Sequence, residues 1–141
     1  IMVPGERAIR HSALGDYQQP SQRYPVGRLS GGCHCQSGME LLDAKGIEYH
    51  VVKTLDNGVR LGYVLNHKVK DKANPQKLRQ AWFPKAWTAE DIRTAGCYVA
   101  NRGMPAPGAE AYGKEAVWNN VRVRCLFDQN GITTICPSYD E

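Results

Sequence analysis

Apolar and polar positions repeat along this chain at two periods, and each marks a different kind of element. In "SGMELLDAKG" (37–46) Met39 and Leu42 share one helical face, Ser37 and Glu40 form a capping-box pair, and Gly46 supplies a stop. Alternation takes over in "IEYHVVKTL" and "VRLGYVL", and "DNG" (56–58) between them predicts a hairpin. "AWFPKAW" (81–87) is aromatic and halts at a proline. Thr88 with Asp91 opens a second helix, "TAEDIRTAGCYVAN", whose Ile92, Ala95 and Val99 form one apolar stripe. "RGMPAPGAEAYG" (102–113) reads as a loop. Alternation then returns in "EAVW", "VRVRCLFD" and "GITTICPS", the last two joined by a turn at "QNG". Residues 1–30 are rich in proline, glycine, glutamine and arginine and read as mostly irregular, with a short turn or helix at "HSALGD" (11–16). Helix, hairpin, helix and antiparallel meander make an α+β chain with no βαβ unit and no internal repeat.

Size and composition narrow the picture. A chain of 141 residues with 42% hydrophobic content is one domain, or two small halves sharing a core. No apolar run approaches the roughly 18 residues of a membrane span, and no signal-peptide pattern opens the chain. Net charge is only +4, but it is concentrated in "NHKVKDKANPQKLR" (66–79), where Asp71 is the lone acid. Such a stretch either attracts phosphate or is a solvated lysine-rich loop. The five cysteines, Cys33, Cys35, Cys97, Cys125 and Cys136, are odd in number and contain no CxxC pair. That pattern indicates neither a zinc ribbon nor a disulfide framework. Cys97, Cys125 and Cys136 fall inside helical or strand patterns and read as small buried hydrophobes. No phosphate-binding GxxxxGK[ST] loop and no dinucleotide GxGxxG motif is present.

The segment "GGCHCQ" (31–36) concentrates the candidate chemistry. A nucleophilic thiol at Cys33 or Cys35 would need a base from elsewhere, supplied by His11, His50 or His67. A metal site would recruit the two cysteines, which share a face of an extended segment, plus ligands from other parts of the chain. A third reading asks for less. RNA is cut without metal when its ribose 2′-hydroxyl attacks the adjacent phosphate. One group takes the 2′ proton and another protonates the leaving 5′ oxygen, tasks that suit two histidines. A lysine then meets the charge that develops on phosphorus. His50, inside a strand pattern, reads as a structural or surface residue.

At these residues the sequence resembles the EndoU ribonucleases, in particular the bacterial toxin domains at the C-terminal ends of polymorphic and contact-dependent inhibition toxins. "HSALGD" resembles the HxxxGD segment that carries the family's first catalytic histidine, and "GGCH" the GGxH segment that carries the second. "NGVRLGYVLNHK" with "AWFPKAWTAEDI" is similar to the hairpin, basic loop and FPxxWT helix start, and "NGITTICP" to the closing strand. The resemblance implies two small antiparallel-sheet subdomains with helices, about 10–80 with both histidines and 81–141, flanking a positive cleft within one domain. It implies His11, His34 and Lys72 as catalytic residues, with Lys77 the alternative lysine and His67 the reserve histidine. It also implies Thr134, Tyr139 and Lys70 as substrate contacts, and glycines that let the substrate backbone approach.

Ala81 stands where the family has a serine, and Cys136 where it has a base-contacting aromatic unless Tyr139 takes that part, so strict uridine preference does not follow. The expected activity is metal-independent endonucleolysis of RNA, tRNA first among targets, leaving 2′,3′-cyclic phosphate ends. No cofactor or bound metal is expected, with manganese at most a stimulant. The expected partners are RNA and an acidic cognate immunity protein. The expected setting is delivery as part of a larger toxin into a target-cell cytoplasm. The rival readings are a non-catalytic RNA- or partner-binding module and a cysteine-dependent hydrolase or transferase using Cys33 or Cys35.

Overall fold

In the computed structural model, residues 1–139 are described, and the chain begins with order rather than irregularity. Helix α1 spans Glu6–Leu14 and buries Ala8, Ile9, Ser12 and Ala13. The helical period there is carried by the charged Glu6, Arg7 and Arg10 opposite small buried residues, inside a stretch whose overall composition is polar. Strands β1 (Asp16–Gln18) and β2 (Arg28–Gly31) follow as a two-stranded antiparallel ribbon, which the proline and glutamine content of this stretch concealed. Helix α2 (Gln36–Lys45) is capped at Cys35, so the Ser37–Glu40 capping box does not form, while Gly46 ends the helix in the left-handed region as expected.

The hairpin forms as β3 (Tyr49–Thr54) and β4 (Arg60–Val64). Its edge strand β3 is exposed from His50 to Thr54, so the alternation there does not mark a buried face. The basic stretch carries a single helical turn, α3 (Lys70–Ala73), before β5 (Gln80–Trp82) pairs with β4 to complete a three-stranded sheet. Thr88 and Asp91 make the capping box that starts α4 (Ala89–Arg102), whose Ile92, Ala95 and Val99 are buried. A four-stranded antiparallel sheet closes the chain, with β6 (Met104–Pro105), β7 (Gly113–Trp118), β8 (Val121–Asp128) and β9 (Gly131–Pro137) in sequence order.

The architecture is therefore α+β, built of small antiparallel sheets and helices, in agreement with the pattern read from the sequence. The larger core gathers α4, the faces of β8 and β9, and the aromatic segment after β5. There Phe83 and Trp87 stack 4.4 Å apart, and Trp118 meets Trp87 edge-on. Ala13 of α1 and Cys35 join this core. A smaller core packs Leu29, Cys33, Met39, Leu42, Val64 and Trp82 beneath the two shorter sheets. Helix α1 ties the chain's two ends together, because buried Ser12 accepts the Ile135 N–H of β9 at 2.9 Å.

Candidate active site

Two glycine turns bring the histidines of "HSALGD" and "GGCH" to one place. Gly15, at φ 97°, reverses the chain directly after α1. The reversal returns Asp16 to the last turn of α1, where its carboxylate accepts from His11 Nδ1 at 2.7 Å. On the other side, Gly32 at φ 70° lets the following residues lie along the exposed carbonyls at the end of α1. Cys33, His34 and Cys35 donate in turn to His11, Ser12 and Ala13 carbonyls, groups that a helix C-terminus otherwise leaves to solvent. A Cβ at Gly32 would stand 1.9 Å from the His11 carbonyl oxygen. The close approach this glycine permits is thus to α1, where the sequence suggested substrate. A Cβ at Gly31 would come within 3.2 Å of the His11 ring.

His34 is held from three directions. Its N–H donates to Ser12, its carbonyl accepts the Phe83 N–H, and its ring Nδ1 meets the Ala81 carbonyl at 2.7 Å. A carbonyl only accepts, so Nδ1 carries the proton and Nε2 keeps the lone pair of the neutral ring. Buried Gln80 braces the same loop, donating to the Gly32 and Cys33 carbonyls. Burial, and after it the Lys72 charge, pushes the His34 imidazolium down to about 3, against the opposing pull of the Ala81 carbonyl. His34 is therefore neutral near neutral pH.

A cleft of about 410 Å³ opens over these groups, and His11, His34, Lys72, Thr134 and Tyr139 all line it. Thr134 Oγ1 lies 3.3 Å from His11 Nε2, and the Tyr139 hydroxyl donates to the Leu78 carbonyl. Arg79 and Arg124 also face the cleft. Arg124 is positioned by the buried Glu115 carboxylate, which also accepts from Ser138 Oγ. With Lys72 these arginines make a cationic wall. Arg124 was not singled out from the sequence because it occupies an ordinary polar position in the alternation of β8, and only the sheet's placement aims it here. The Asp16 partnership was equally hidden, although the HxxxGD spacing signals it once the turn at Gly15 is known.

Six of the sequence candidates lie outside this cleft. Lys77 Nζ pairs with Asp71 at 3.1 Å on the surface, and exposed Lys70 does not line the cavity. His67 is buried, accepts the Val69 N–H on Nδ1, and is pushed down to about 4 by burial and then by Lys72 and Arg28. It acts as a neutral prop at the entry to α3. His50 sits exposed beside Glu48 and stacks on Tyr63. Cys33 and Cys35 are fully buried, and burial pushes their thiols up to about 11 and about 12. A thiol nucleophile acts as the thiolate, which such surroundings suppress. Among the described residues no group of three or more His, Cys, Asp or Glu side chains is placed to hold a metal ion, and no helix is long and apolar enough to cross a membrane.

Comparison with protein families gives a match to the bacterial EndoU nuclease model over residues 5–139. No curated protein matches the chain, and no solved structure does.

Proposed function

Since the chain belongs to the bacterial EndoU nuclease family and so to enzymes that cleave RNA, we propose that it is a metal-independent endoribonuclease working by transesterification between His34 and His11. The observation that carries this reading is the contrast between the two rings. His34 Nδ1 is committed to a carbonyl, whereas His11 Nδ1 faces a carboxylate, and both rings line the same cleft as Lys72.

A neutral His34 takes the 2′-hydroxyl proton on Nε2 as the 2′ oxygen bonds to phosphorus. The bond from phosphorus to the 5′ oxygen breaks, and that oxygen receives a proton from Nε2 of the charged His11 ring, with Asp16 supporting the charge. The products are a 2′,3′-cyclic phosphate and a 5′-hydroxyl, and no electron is gained or lost. Lys72 supplies the cation that meets negative charge on the pentacoordinate phosphorus. Thr134 and Tyr139 contact the nucleotide, and Arg79 and Arg124 hold flanking phosphate charge. This chemistry needs no cofactor, and manganese is expected at most to stimulate.

In this reading the chain is the nuclease part of a larger delivered toxin, acting on tRNA or another structured RNA in a recipient cytoplasm. An acidic immunity protein covering the cationic cleft is the partner such a surface fits. The deciding experiment incubates the protein and its His34→Ala variant with total tRNA in EDTA and analyses the RNA ends. Cyclic-phosphate ends from the wild type alone are expected. Intact RNA that is nonetheless bound, with manganese present or absent, would make the protein a binding module. Loss of cutting in Cys33→Ser or Cys35→Ser, with the fold retained, would instead return the thiol to the mechanism.

A further inference from the structure

The wall that carries His11 has a second face. A hollow of about 510 Å³, lined among others by Arg7, Asp16, Ile132, Asp128 and Asn130, shares among the described residues only His11 and Thr134 with the cleft above. Its size falls within the roughly 300–1,000 Å³ of small-molecule sites. Of its lining, the reaction as derived so far uses His11, Asp16 and Thr134 and none of the rest.

In an in-line displacement the entering and departing oxygens lie on opposite sides of phosphorus. With His34 on the entering 2′ oxygen and His11 on the departing 5′ oxygen, the leaving nucleoside must lie on the side of His11 away from His34. The second hollow shares His11 with the cleft and does not include His34, which places it on that side. Arg7 stands four residues before His11 in α1, so both project from one helix face. Among the described residues no ion pair engages the Arg7 guanidinium, which suits it to a phosphate oxygen pair. Asp128, at the end of β8, and Asn130, in the turn that follows, add a carboxylate and an amide that can take base N–H groups, and Ile132 adds an apolar surface. Among the described residues the lining holds two carboxylates, Asp16, which is engaged by His11 Nδ1, and Asp128. A carboxylate repels phosphate, so the phosphate of a bound nucleotide belongs at Arg7 and its base toward Asp128 and Asn130.

We propose that the hollow between α1 and the β8–β9 turn is the binding subsite for the nucleotide immediately downstream of the cut, with Arg7 holding that nucleotide's 3′-phosphate. The inference rests on the His34 and His11 roles above. Two oligoribonucleotides test it, identical up to the leaving nucleoside at the step most often cut in total tRNA. One ends there in a 3′-hydroxyl and the other in a 3′-phosphate. The wild type is expected to cleave the phosphate-ended substrate with about tenfold higher kcat/KM, the size of one charge-assisted contact. Arg7→Gln is expected to erase that preference while the hydroxyl-ended substrate is cut at an unchanged rate, which also shows that the variant is folded. Equal rates on both substrates for the wild type, or an equal loss on both in Arg7→Gln, overturns the subsite. Cleavage of neither by the wild type overturns the ribonuclease reading on which the subsite stands.

Discussion

Which lysine serves the reaction is a question at the scale of single residues. Lys72 and Lys77 lie in one basic run, yet Lys72 lines the cleft with both histidines while Lys77 is spent on Asp71 at the surface. Lys72→Ala should lower kcat by about two to three orders of magnitude, the usual loss when a charge-stabilising donor is removed. Lys77→Ala should stay within about threefold of wild type, as befits an exposed pair. Lys72 is also one of the causes that hold His34 down. Its removal should therefore move the acid limb of the pH–rate profile to higher pH. Comparable losses in both variants, or a larger one in Lys77→Ala, would reverse the assignment. At the same scale, the two thiols beside His34 are packing groups, Cys35 in the larger core and Cys33 in the smaller.

At the scale of elements, the site exists because one loop is hydrogen-bonded to the end of one helix. Gly32 is where the two touch, and the backbone-to-backbone approach there leaves no room for a methyl group. A left-handed φ adds to the cost of any other residue. Gly32→Ala should lower the melting temperature by roughly 10 °C, taking a loss of about 3 kcal/mol in a domain of this size. It should also abolish cleavage, because displacing the loop separates His34 from His11. Gly5→Ala, where an added Cβ meets nothing within 4 Å, is the control and should melt within a few degrees of wild type. An active, wild-type-stable Gly32→Ala would remove this junction from the explanation of the site.

At the scale of the whole molecule, two buried neutral histidines make folding depend on pH. His34 and His67 titrate in the fold at about 3 and about 4, below their ordinary value of 6.5. Between those limits the unfolded chain binds more protons than the folded one. Stability is therefore full above the ordinary value and is lost as pH falls toward the folded values. The melting temperature should drop by on the order of 5 °C or more from about pH 7 to about pH 5. His67→Asn, which keeps an acceptor for the Val69 N–H, should flatten part of that slope and leave RNA cleavage within a few-fold. An unchanged slope in His67→Asn would mean that His67 is not held neutral.

Local chemistry was sufficient where neighbours in sequence are neighbours in space. The "DNG" and "QNG" turns, the Thr88–Asp91 cap and the Gly46 stop are each decided within a few residues, so they stand in the structure as the sequence implied. The two segments "HSALGD" and "GGCH" likewise named the histidines that meet in the cleft. The Ser37–Glu40 cap failed because the chain entering α2 is fixed by its bonds to α1 and begins the helix at Cys35 instead. Helix α1 does carry a helical period, but it is written in the exposed Glu6, Arg7 and Arg10 against small buried residues rather than in large apolar ones. Tertiary structure alone chose Lys72 over Lys77 as the cleft's lysine, set Arg124 against Glu115, and paired His34 with Ala81. Each of these depends on where a sheet or turn comes to rest against another element. No spacing along the chain contains that information, because the partners are joined by packing and by hydrogen bonds between segments as much as 47 residues apart.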